Sequence, residues 1–188
     1  MARPRTYERA DVLRRATDLF ARKGYEGAHL QELVSVTGLN RFSLYKEFGG
    51  KEGLFQAALD AYLEQFGNLL GVLEREPAGL KNVRDFYAML LSFEFPYGCL
   101  AVNTIREKHV IPAHVYATIE RFTASGEANF LRNLTAARAQ GELSQDTDVG
   151  ALAKFLTALD MGLMSYGIVA PHPRDRAMIV SMIERVLR

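Results

Sequence analysis

The sequence predicts an all-α fold of about nine helices. Every periodic apolar segment repeats at spacings of three and four, and no stretch shows the period-two alternation of a half-buried strand. Hydrophobic residues make up 48% of the 188 positions, ample for a buried core, and no Gly/Ser linker, low-complexity tract or internal repeat interrupts them. That length suits one compact domain or a small head joined to a larger body.

The elements follow in order. In 7–23, Val12, Leu13, Ala16, Leu19 and Phe20 form one apolar stripe, with Thr6 a candidate N-cap and Gly24 a candidate stop. Leu30, Leu33 and Val34 form a short second stripe that stops at Thr37-Gly38. Asn40 can cap a third short helix that carries Leu44 and Phe48 inward and ends at Gly49-Gly50. A fourth helix is predicted over 51–74 and a fifth over 80–93. The Phe95-Pro96-Tyr97-Gly98 break follows, and a sixth helix starts near Cys99. Pro112 suits the first turn of a seventh helix running to about Gln140, closed by Gly141. Asp146 or Asp148 can cap an eighth from Val149 to about Val169. Pro171 and Pro173 separate it from a ninth over 174–187.

Charge is distributed unevenly although the net value is only +1. Residues 1–53 hold ten Lys/Arg against seven Asp/Glu, and residues 54–188 hold 13 against 15. Five of the ten basic residues of the head, Arg3, Arg5, Arg9, Arg14 and Arg15, fall in the first fifteen positions. A basic head on a slightly acidic body suits a polyanion-binding module, and equally an ordinary solvated N-terminus. Met-Ala-Arg-Pro-Arg leads into an amphipathic pattern rather than a signal peptide. The apolar run 155–170 contains Asp160 and is too short to span a bilayer comfortably. The single cysteine, Cys99, rules out an intrachain disulfide. A soluble cytoplasmic protein with no membrane partner is expected.

A helix-turn-helix needs two short helices held at a steep angle by a tight turn, the second presenting polar side chains outward. Residues 28–48 meet that description. Leu30, Leu33, Val34, Leu39, Leu44 and Phe48 form the inward set, and Gly38 relieves the backbone at the turn. The outward set of the third helix is Arg41, Phe42, Ser43, Tyr45 and Lys46. Cations and hydroxyls can bond phosphate oxygens or base edges, and Phe42 or Tyr45 can pack on a thymine methyl or on the sugar backbone. Enzymes also contain helix-loop-helix units of this composition, so the pattern alone leaves DNA binding as one of two readings.

The residues themselves carry a resemblance. Leu19-Phe20-x-x-Lys23-Gly24-Tyr25, Leu30-x-x-Leu33-Val34, Gly38-Leu39-Asn40-Arg41-x-Ser43-Leu44-Tyr45-x-x-Phe48 and Lys51-Glu52-x-Leu54-Phe55 closely resemble the TetR-like (tetracycline-repressor-like) family of bacterial transcriptional regulators. The match covers about the first sixty residues without a gap. It implies an Ω-shaped all-α homodimer, with a three-helix DNA-binding head over 1–50 and an effector-binding and dimerisation body over 51–188. Carried over residue by residue, it makes Arg41, Ser43, Tyr45 and Lys46 candidate DNA contacts and Lys51 a candidate phosphate contact at the start of helix four. Two departures stand out. Ala28-His29 replaces the Thr and hydroxyl residue usual ahead of helix two, leaving His29 either a substitute phosphate donor or inert. Phe42 replaces the usual Gly or Ala. Arg3 and Arg5 either track the DNA backbone or minor groove or form a solvated tail.

The body is expected to dimerise and to sense something. The eighth helix, with Ala151, Leu152, Phe155, Leu156, Leu159, Leu163, Met164, Ile168 and Val169, is nearly apolar all round. So is much of Ala177-Met178-Ile179-Val180, Met182-Ile183 and Val186-Leu187. Such helices must be buried on several sides, either as core helices of a monomer or, as the family resemblance implies, in a four-helix bundle across a homodimer interface. The partners expected are a pseudo-palindromic double-stranded DNA operator, a small-molecule effector and a second copy of the chain. Candidate effector-lining residues are Phe86, Met89, Leu90, Phe93, Tyr97, Asn103, Tyr116, Phe122, Asp160, Met164 and Tyr166, most of which would serve equally as core. Asp160 can pair with a cation across the interface or face a pocket. Gly98-Cys99-Leu100 resembles a segment of one branch of TetR-like repressors in which the cysteine can sense electrophiles or oxidants. A thiol at a helix N-terminus is activated by the dipole, whereas a buried cysteine behaves as a small hydrophobe.

The function expected is a ligand-responsive DNA-binding regulator, a repressor released from its operator by a small hydrophobic or reactive molecule. The alternatives are a repressor sensing redox or electrophiles through Cys99 and an all-α interaction module without specific DNA binding. The chain has no Gly-rich phosphate loop and no His-Glu-x-x-His, and His109 and His114 flank Pro112 at a spacing poor for metal ligation. No catalytic residue, cofactor or metal is therefore expected.

Overall fold

The computed structural model describes residues 7–93, 97–166 and 173–187. Among the described residues the elements are nine helices, without a strand: α1 (Arg9–Gly27), α2 (Leu30–Thr37), α3 (Arg41–Phe48), α4 (Lys51–Leu73), α5 (Leu80–Leu90), α6 (Leu100–Arg106), α7 (Ala113–Ala139), α8 (Val149–Tyr166) and α9 (Pro173–Val186). They group into two compact units, residues 1–64 with 99–119 and residues 65–98 with 120–188. Thr6, Arg3, Arg5, Phe95, Pro96, Ile168, Val169 and Pro171 lie outside the described residues, as do the side chains of Tyr166 and Ala177.

In the first unit, Val12, Ala16, Leu19 and Phe20 of α1 are buried with Leu33, Leu39, Leu44, Phe48, Leu54, Phe55 and Leu59. Phe20 meets Phe55 edge-on at 4.7 Å between centroids, and Tyr25 packs on Phe55 at 4.9 Å. Leu30 and Val34, expected inward, are only half-buried.

The start and end of α1 both differ from expectation. Glu8 occupies the N-cap in extended backbone without a side-chain cap bond. At the other end the helix does not stop at Gly24 but bends there, with φ 75° and ψ 176°, and continues to Gly27. An uninterrupted helix would join the Tyr25 N–H to the Ala21 carbonyl. Across the bend, Tyr25 N–H donates instead to Glu107 Oε2 at 2.7 Å and Glu26 N–H to Glu107 Oε1 at 3.1 Å. The Ala21 carbonyl accepts from Asn103 Nδ2 at 3.1 Å. Two side chains at the α6 end thus satisfy backbone groups that the bend takes out of the helical ladder.

The second unit is centred on Phe86, Tyr87 and Phe130, all at most 1% exposed, with Phe86 and Phe130 edge-on at 5.1 Å. Tyr87 Oη donates to the Leu156 carbonyl at 2.8 Å, tying α5 to α8. Arg84 Nε reaches Glu184 Oε2 at 3.0 Å, tying α5 to α9. The loop before α5 is held by a buried amide network. Asn82 Nδ2 donates to the Arg75 carbonyl at 2.9 Å and to Asn133 Oδ1 at 3.0 Å, and Asn133 Nδ2 donates to the Leu73 carbonyl at 2.7 Å.

Helix α5 ends at Leu90 rather than near Phe93. The Ser92 hydroxyl donates to the Met89 carbonyl at 2.7 Å, and Phe93 N–H donates to the Leu90 carbonyl, the tighter three-residue spacing common at helix ends. Asp148, of the two aspartates considered, caps α8, accepting from Ala151 N–H at 3.0 Å.

Candidate nucleic-acid interface

Within the first unit, α2 and α3 are joined by residues 38–40. Gly38 adopts φ 72°, ψ 3° and donates its N–H to the Val34 carbonyl at 3.2 Å, closing α2 in a left-handed turn that a side chain would strain. Asn40 opens α3 as the sequence indicates, its Oδ1 accepting from Ser43 N–H at 2.8 Å. Gly49, at φ 78°, closes the helix after two turns. Ahead of α2, the backbone N–H of His29 donates to Glu32 Oε2 at 3.4 Å, and Lys23 bonds the other oxygen of Glu32. An acidic side chain therefore serves the start of this helix where a hydroxyl is missing.

The buried side of α3 is Leu44 and Phe48. Its outward side carries Arg41, Phe42, Tyr45 and Lys46, all exposed, with Phe42 at 75% and Tyr45 at 49%. Ser43 is half-buried. The Arg41 guanidinium lies 5.9 Å from the Tyr45 ring centroid. Glu47, the acidic residue of α3, accepts from Tyr7 Oη at 3.1 Å and pairs with Arg9 at 3.3 Å. Arg9 also covers the Phe48 ring at 4.9 Å. Arg9 of α1 thus offsets the negative charge of α3, and the exposed surface of the helix keeps a positive character.

His29 is exposed at the start of α2, beside this surface in sequence but not on α3. Lys51 is half-buried. Its Nζ donates to the Glu26 carbonyl at 3.2 Å and sits 4.7 Å from the Tyr25 ring centroid. Burial pulls the Lys51 pKa down, while the Glu107 and Glu26 charges act in the opposite direction.

The candidate effector residues are divided between the units. In the first, Cys99 is the N-cap of α6, 3% exposed, with its thiol against the Tyr62 phenol. Asn103 is the residue bonded to Ala21. Tyr116 stacks beneath Lys108 Nζ at 4.6 Å. In the second, Phe86 and Leu90 are core, Met164 is 8% exposed, and Met89 and Phe122 are half-buried. Phe93 and Tyr97 stand out at 39% and 47% exposure. Asp160 is half-buried on α8, and burial pushes its carboxyl up to about 7, against a hydrogen bond from the Met161 backbone.

The apolar circumference of α8 and α9 is not covered within one chain. Phe155 is 47% exposed on α8, and on α9 Met178 is 60%, Met182 51%, Val186 40% and Val180 39% exposed. No helix among the described residues is long and apolar enough to cross a membrane.

Glu107 escaped the sequence reading because Arg106-Glu107-Lys108-His109 looks like an ordinary solvated run. Its role becomes visible only when Gly24 is brought beside it.

Comparison with known proteins agrees with this geometry. The model of bacterial regulatory proteins of the tetR family matches residues 12–58, and that of the tetracyclin repressor-like C-terminal domain matches residues 79–178. The chain is 35% identical over 171 residues to the uncharacterized HTH-type transcriptional regulator YezE of Bacillus subtilis, covering 87% of each chain. It is 30% identical over 167 residues to the HTH-type transcriptional repressor ComR of Escherichia coli, covering 86% of this chain and 80% of that one. Among solved structures it is similar to a cysteine mutant of the TetR family transcriptional regulator CifR complexed with 26-base-pair double-strand operator DNA. The TM-score there is 0.80 with 31% identity, covering 100% of this chain and 98% of that one.

Proposed function

The chain belongs to the tetR family of bacterial regulatory proteins, DNA-binding transcriptional regulators rather than enzymes, and from that premise we propose that it is a homodimeric repressor released by a small molecule. The observation that carries the DNA-reading part is the outward side of α3, where Arg41, Phe42, Tyr45 and Lys46 project from a helix fixed at both ends. In this reading Arg41, Phe42, Ser43, Tyr45 and Lys46 meet a pseudo-palindromic duplex, with His29 and Lys51 serving flanking phosphates. Residues 1–50 act as the DNA-binding domain and residues 51–188 as the effector and dimerisation domain.

The exposed apolar sides of α8 and α9 support self-association through the two C-terminal helices, since apolar faces of this kind on a single chain mark an interaction site. A two-fold dimer sets its two recognition helices about 34–36 Å apart to enter successive major grooves, and an effector acts by changing that spacing. Its site belongs to the body, where Phe86, Met89, Phe93, Tyr97, Phe122, Asp160 and Met164 remain the candidates, together with Cys99, Asn103 and Tyr116. Work on DNA assigns the protein to the cytoplasm. Sensing through Cys99 is not favoured, because the thiol is buried against Tyr62.

Titration of the purified chain against duplex DNA taken from around its own gene tests the proposal. Selective binding that weakens steeply as salt rises is the expected result. An absence of salt-sensitive affinity would refute it.

A further inference from the structure

We propose that Phe42 is a specificity-determining residue that reads the C5-methyl group of a thymine in the major groove. The inference rests on the reading of α3 as the DNA-recognition helix. Among the exposed large apolar side chains of the described residues, Phe42 is the most exposed, at 75%. Its exposure does not come from a frayed segment. It lies in the first turn of α3, inside the bond from Ser43 N–H to Asn40 Oδ1, with Leu44 buried on the other side of the helix.

The surroundings of Phe42 indicate what it meets. An apolar side chain that docks on another protein is ordinarily part of a contiguous apolar patch. Here the exposed neighbours on α3 are Arg41, Tyr45 and Lys46, with Arg41 and Tyr45 already engaged with each other. Lys46 stands four residues from Phe42, so the two share a side of the helix. One side thus combines a cation, suited to phosphate, with a ring that has no polar atom. The base-pair edges of the major groove offer donors, acceptors and a single apolar group, the thymine methyl. Deoxyribose is also apolar, but every nucleotide carries one, so contact with sugar would give affinity without selectivity.

The test uses the full-length dimer. Duplexes selected by the wild-type protein from a randomised pool should show a thymine, once in each half-site, that the Phe42→Ala selection does not enrich. In the best selected duplex, thymine at that position is then replaced by uracil, which removes the methyl group and leaves every hydrogen-bonding group in place. Loss of one buried methyl should weaken wild-type binding about fourfold for one half-site and on the order of tenfold or more for both. Phe42→Ala should bind wild-type and uracil duplexes equally, and Phe42→Leu should retain part of the difference. Melting curves establish that both variants fold.

Three results would overturn the proposal. Uracil that costs the wild-type protein nothing at any thymine assigns Phe42 to the sugar-phosphate backbone. An equal cost in Phe42→Ala assigns the methyl to another residue. Failure of the wild-type protein to bind any duplex selectively would remove the DNA reading itself, an outcome distinct from the other two.

Discussion

The outward side of α3 and the outward sides of α8 and α9 both expose large apolar side chains, yet in different charge surroundings. On α3 the exposed Phe42 and Tyr45 are interleaved with Arg41 and Lys46, and the local acid, Glu47, is paired with Arg9. On α9 the exposed Met178, Val180 and Met182 fall in a seven-residue run, 177–183, without a charged residue, while Lys154 adjoins Phe155 on α8 and Arg185 adjoins Val186. Apolar groups amid cations fit a polyanion with some apolar edge; apolar groups with little charge between them fit a copy of themselves. Exposure alone does not distinguish these two surfaces, whereas the charges around it do.

Perturbing each surface in turn should separate the two functions. The largest effect is expected from Phe155→Glu combined with Met182→Glu. Burying unpaired carboxylates costs roughly 3–5 kcal/mol each, so sedimentation should show a monomer, and operator binding should disappear with the dimer. A monomer that still bound its operator with wild-type affinity would undo the assignment of this face. Tyr45→Ala with Lys46→Ala should lower operator affinity on the order of 100-fold and reduce the salt slope by about one, while the sedimentation profile stays dimeric. If affinity survives, the reading surface lies elsewhere.

Asp160 sharpens the comparison from inside α8. Burial raises its carboxyl to about 7, so the folded chain keeps a proton that the unfolded chain releases near pH 4. Stability therefore falls as pH rises from about 4 to 7, the region between the unfolded and folded pKa values. Asp160→Asn should be the more heat-stable protein at pH 8, by about 5 °C, with the gap closing toward pH 4. A gap independent of pH would show that ionisation is not its cause. The smallest effect is expected from Gly38→Ala. No atom beyond Gly38 and its two chain neighbours lies within 4 Å of the added carbon, so the φ of 72° is what opposes it. Denaturant melts should show a loss of about 1 kcal/mol, with dimerisation unchanged.

Much of α3 could be read from the sequence because its signals are local. Asn40 and Gly49 bracket eight residues whose apolar members recur at helical spacing, and each cap bonds a group within four residues of itself. The nine helices were legible for the same reason. What the sequence concealed depends on distant partners. Glu107 meets Tyr25 across 82 positions, and Asn82 meets Asn133 across 51. Asn103, a candidate effector contact, also reaches far in sequence, its Nδ2 donating to the Ala21 carbonyl across 82 positions. Aromatic and Met residues at helical spacing serve core and effector lining alike, so the burial of Phe86 and Leu90 does not separate the two roles.

The bend at Gly24 has a bearing on how the chain folds as it is made. The first 24 residues hold the whole body of α1, yet the amides just beyond the bend acquire their acceptor only after Glu107 has been synthesised. A contact between such distant positions must offset the entropy of closing the loop between them. The final turn of α1 therefore depends on a contact that no local segment of the chain can supply. A fragment cut at residue 50 would carry α2 and α3 whole, but the amides of Tyr25 and Glu26 would lack the Glu107 carboxylate.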